Sequence, residues 1–61
     1  MVTKRHIGQQ VDFRNDSTNV PGVTLLSFQR RGRFDLALIR FPGGAEWLVD
    51  RAELFPAGKG S

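Results

Sequence analysis

The sequence predicts an all-β fold of five short strands in one strongly bent sheet, with a single helical turn before the last strand. Three observations carry this reading. Apolar residues fall in short runs with the two-residue period of strands, as in QVDFR, and no heptad is present. Pro and Gly stand between the runs as punctuation, in VPG, RRG and PGG. One segment, DRAEL, begins with an Asp whose carboxylate can accept from amides two or three residues on, the signature of a capped turn.

The elements follow in order. Residues 1–7 are polar and basic without periodicity and read as a flexible basic N-terminus, residues 8–56 as the folded domain, and residues 57–61 as a flexible C-terminal tail. In GQQVDFR, Val11 and Phe13 alternate with Asp12, which makes a half-buried strand. NDSTNVPG is loop chemistry, because Asx side chains bond their own backbone and Pro-Gly sets a turn. VTLLSFQRRGRFDLALIRF then reads as a hairpin around Gly32 with a three-residue loop of Arg30, Arg31 and Gly32. That register sets Val23 against Ile39, Leu25 against Ala37, Leu26 against Leu36 and Phe28 against Phe34, matching apolar with apolar. PGG turns the chain into AEWLV, Asp50 caps DRAEL, and LFP closes the sheet, Pro56 being tolerated at an edge.

A chain of 61 residues makes one domain at most and buries only about 60% of the surface its unfolded form exposes. The missing stability has few sources. With no cysteine, disulfides and thiolate zinc sites are excluded, and the single His6 cannot hold a metal alone, so no cofactor is expected. Tight strand pairing or a partner subunit remains. No apolar run approaches the roughly 20 residues that span a bilayer, and no apolar stretch follows the basic start, so the sequence predicts a cytoplasmic protein without a membrane segment.

The layout resembles the SH3-like small barrels, specifically KOW and Tudor-type modules and the C-terminal barrels of retroviral-type integrases. GQQV, ALIRF, the PGGAEWLV turn and strand, and the closing DRAELFP carry the likeness to the pattern G-x-x-V, A-L-V-x-F-x-x-G, E-W-V, x-E-L-x-P, over about residues 8–56. The resemblance implies a five-stranded barrel and a family that includes nucleic-acid binders, peptide binders, methyl-lysine readers and docking subunits. A methyl-lysine cage or a proline-peptide groove needs clustered aromatics, and with no Tyr and one Trp this chain is poorly equipped for either.

Catalytic chemistry has little to work with. The acids Asp12, Asp16, Asp35, Glu46, Asp50 and Glu53 show no spacing that pairs two carboxylates, and PGG and GKGS lack the strand, glycine spacing and helix of a phosphate loop. The expectation is a non-enzyme with no small-molecule substrate. In the register above, Val23, Leu25, Ala37, Ile39 and Phe41 face inward with Val11, Phe13, Trp47 and Val49. Leu26, Phe28, Phe34, Leu36 and Leu38 then fall on the opposite face, which on a free antiparallel sheet is normally polar. Either bending buries both faces, or the second face docks on a protein partner or a second copy of the chain; the second is the primary expectation. The alternative is nucleic-acid binding by phosphate contacts from Arg30, Arg31 and Arg33 at the hairpin tip, with Arg40. A net charge of +3 permits this without requiring it.

Overall fold

The computed structural model describes residues 2–57. Five strands, β1 (Gln10–Arg14), β2 (Asn19–Arg31), β3 (Phe34–Arg40), β4 (Glu46–Asp50) and β5 (Leu54–Pro56), form one antiparallel sheet in the order β4-β3-β2-β1-β5. Two 3-10 turns, Lys4–His6 and Arg51–Glu53, complete it, the second lying before the last strand as the sequence predicts. Asp50 caps that turn, its Oδ1 accepting from the Ala52 amide at 2.9 Å. The sheet bends but does not close into a barrel: β4 and β5 remain its two edges.

The bend resides in β2. Thirteen residues at about 3.3 Å each would run roughly 40 Å if straight, more than the molecule's 34 Å long axis. Two register shifts take up the difference. Val11 faces Val23 while Phe13 faces Val20, so Pro21 and Gly22 bulge opposite Asp12, with Gly22 at φ +78°. Further on, Leu25 faces Ile39 and Ser27 faces Leu38, which leaves Leu26 without an opposite number. Each bulge kinks the strand and tightens its twist. The segment NDSTNVPG is therefore loop only in its first half. Asn15 Oδ1 accepts from the Ser17 amide at 3.0 Å, and Asn19 and Val20 already belong to β2.

The hairpin register differs from the sequence expectation. Arg31 faces Phe34 across a two-residue turn of Gly32 and Arg33, not a three-residue loop, and Phe28 faces Ala37. Gly32 has φ +61° at the first central position, the requirement of a type II′ turn, whose twist suits the flanking strands. Arg30 then lies opposite Asp35, an opposite-charge pair that the apolar-matching argument overlooked.

The core consists of Val2, Val11, Phe13, Val23, Leu25, Ala37, Ile39, Val49 and Leu54, with Val20, Phe28 and Phe41 half-buried against it. Val2 belongs to the segment read as a flexible basic tail, yet it is fully buried. Thr3 closes a capping box behind it: its amide donates to His6 Nδ1 at 2.9 Å and its hydroxyl accepts from the Arg5 amide at 3.3 Å. The chain next joins β2, Gly8 N donating to Leu25 O at 2.7 Å and Leu25 N to Gln9 O at 3.0 Å. The C-terminal tail expected over 57–61 lies, beyond Ala57, outside the described residues.

Candidate docking face and basic cleft

The Leu26 bulge decides which side chains reach each face. Because one extra residue shifts the alternation by one, Phe28 joins Val23 and Leu25 on the core side, and Ser27, Gln29 and Arg31 point away. Phe28 is thus removed from the expected outer patch and packs against the core. Leu26, the bulged residue, is half-buried. Strand β3 has no such shift. Ala37 and Ile39 are buried, so Phe34, Leu36, Leu38 and Arg40 occupy the outer side.

Strand β4 extends that side. Leu38 faces Leu48, Leu36 faces Asp50 and Arg40 faces Glu46. The result is a diagonal apolar strip of Phe34, Leu36, Leu38 and Leu48, with Phe34 61% and Leu48 38% exposed. Ser27, Gln29 and Arg31 border it along β2, and Asp50 and the Arg40–Glu46 pair border it along β4. Leu48 escaped the sequence reading, which had placed only Trp47 and Val49 of this strand; its signal was the two-residue alternation, since Trp47 and Val49 on one side leave Leu48 on the other.

Trp47, expected in the core, is 56% exposed. It shares the side of Ile39, but as an edge residue it has cover from one neighbour only. Phe41 takes the interior position, meeting Trp47 edge-on at 4.9 Å and Phe13 edge-on at 6.0 Å. Trp47 and Arg40 lie on opposite faces of the sheet, so they do not form a shared stacking platform.

The four arginines nominated for phosphate contact are all exposed and are not equivalent. Arg30 Nε lies 3.7 Å from Asp35, and Arg40 donates from Nε and Nη2 to Glu46 Oε2, both at 3.3 Å. Arg31 reaches only Gln29 Oε1, at 3.5 Å, and Arg33 fills the second turn position. Arg14 lies over the Phe55 ring at 4.4 Å. Neither ion pair contributes much stability at such exposure, but each places a carboxylate where a phosphate would have to compete.

A second basic cluster sets Lys4 and Arg5 beside Arg51, which the sequence reading did not single out. Thr3, Lys4, Arg5 and Arg51 line an open cleft of about 600 Å³. Arg51 is its fixed member: Nε and Nη2 donate to Val2 O at 3.2 and 3.0 Å, and the guanidinium covers the Phe28 ring at 4.3 Å. Lys4 and Arg5 are exposed beside it. No pattern in the sequence links residues 3–5 to residue 51; the link exists because Val2 is drawn into the core. Among the described residues, no three His, Asp or Glu side chains gather into a metal-binding group.

Compared with models of protein families, with curated proteins and with solved structures, the chain matches none.

Proposed function

We propose that the chain is a non-catalytic docking module of the SH3-like type, which packs the outer face of its sheet on a partner protein, with a second copy of itself as the occupant this surface suits best. The single observation behind it is the strip Phe34, Leu36, Leu38 and Leu48, apolar where a free antiparallel sheet is normally polar. The meander order and the 3-10 turn before β5 support the SH3-like reading. The choice of a second copy follows from size and symmetry. A domain this small has a marginal core, sheets pack face to face at about 10 Å, and one patch meeting itself closes a two-fold pair. Each leucine or phenylalanine fully covered contributes about 1.5–3 kcal/mol before association costs.

Nucleic-acid binding is the second reading. It draws on Arg31 and Arg33, which have no carboxylate within 4 Å among the described residues, and on the exposed Phe34 beside them as a stacking surface. One experiment separates the two: light scattering of the purified chain across a concentration series, alone and with a single-stranded oligonucleotide, at low and high salt. Self-docking gives a concentration-dependent doubling of mass that persists at high salt and disappears in Phe34→Asp. A monomer at every concentration overturns it. An oligonucleotide complex that forms at low salt and dissolves at high salt supports the second reading instead.

A further inference from the structure

We infer that the cleft formed by Thr3, Lys4, Arg5 and Arg51 is a binding site for a doubly charged phosphoryl group. It lies apart from the apolar strip, because Arg51 covers Phe28, whose side chain shares the core side of the sheet with Ala37. Three features combine there.

The first is charge without compensation. Arg30 and Arg40 each have a carboxylate within 4 Å, whereas Lys4, Arg5 and Arg51 have none among the described residues, and no acidic residue lines the cleft. Three cations around one open space repel one another, and an anion between them removes that repulsion.

The second is preorganisation. Arg51 is half-buried, held by two hydrogen bonds to Val2 O and by the Phe28 ring beneath it. These contacts use Nε and Nη2 and leave Nη1 uncommitted. A guanidinium already fixed in place loses little rotamer freedom when it meets a ligand, and its donors match phosphate oxygens.

The third is the charge of the ligand. A phosphate monoester carries about two negative charges at neutral pH and three acceptor oxygens. It can take one contact from Arg51 and one each from the flexible Lys4 and Arg5 side chains. A phosphodiester carries a single charge and leaves two of the three cations uncompensated, against one for the monoester. Inorganic phosphate, a small phosphomonoester and the phosphorylated end of a nucleic acid all present this group; the chemistry recognised is the same.

The test is a titration of the isotope-labelled full chain with inorganic phosphate, followed by NMR at backbone amides and arginine Nε–H groups. The expected result is a saturable shift at Arg51 Nε–H and at the Lys4 and Arg5 amides, with Arg31 and Arg33 at the hairpin tip unmoved. Replacing Lys4→Ala and Arg5→Ala together, at two exposed positions, is expected to keep the fold and weaken binding about tenfold or more, the scale of losing one or two charge-assisted contacts. A 5′-phosphorylated single-stranded oligonucleotide is expected to bind the cleft at least as well as phosphate does, and its unphosphorylated counterpart much less. Shifts spread evenly over all arginines, no saturation, or equal binding of the two oligonucleotides would overturn the site.

Discussion

Val2 shows how one side chain can escape a pattern. It is fully buried in the same cluster as Leu25 and Leu54, but the residues after it, TKRH, are polar, so no period announces it. Its burial is made possible by neighbours that satisfy the backbone: the Thr3–His6 capping box on one side and the Arg51 guanidinium on Val2 O on the other. A buried carbonyl without such a donor would cost about 1–3 kcal/mol. Val2→Ala is expected to lower stability by about 2 kcal/mol, the loss of two methyl-sized groups plus the cavity they leave. The denaturation midpoint in urea measures this, with Lys4→Ala, an exposed change, as the control that stays within about 0.5 kcal/mol.

At the scale of the element, strand β2 governs the faces. Its hairpin with β3 was legible in the sequence, and so were the turn at PGG, the cap at Asp50 and the closing LFP. The register was not, because bulges have no period of their own and apolar matching rewards the wrong alignment when β3 is apolar on both sides. Local polarity held the better clue: Ser27, Phe28 and Gln29 alternate correctly for a strand with Phe28 inside, and the Arg30–Asp35 pair fits only the two-residue turn. Engineered cross-links distinguish the alignments. Gln29 and Leu36 face each other directly, within reach of a disulfide after a small adjustment. The pair Gln29→Cys/Leu36→Cys is expected to oxidise readily in the folded chain, whereas Leu26→Cys/Leu36→Cys, three positions further along β2, should not. Mass spectrometry after mild oxidation, read under native conditions, decides between them.

Across the whole molecule, three of the four strand pairings join sequence neighbours, and only β1 with β5 closes over most of the chain. The strand order was readable for that reason, since consecutive short runs with tight turns pair with one another. Closure was not readable, because it depends on whether the edges meet, and the kinks in β2 that set their separation are invisible to a hydropathy pattern. The same reason explains the basic cleft, which needs residues from both ends of the chain. Topology also orders local stability. The β2–β3 ladder of seven facing pairs is expected to protect its amides most, and the three-residue β5, which must close the long loop, to open first. Native-state hydrogen exchange is the measurement: amide protection at Phe55 equal to that at Ala37 would contradict this ordering.

The two free margins of the sheet are unequal. β4 offers five residues, with Trp47 and Leu48 exposed, while β5 is three residues long and ends in Pro56, which has no N–H to donate. Of these two margins, β4 is therefore the better template for recruiting a strand. Two copies joined along their β4 margins would turn their β5 margins outward, and a three-residue strand closed by proline is a poor template for a further copy.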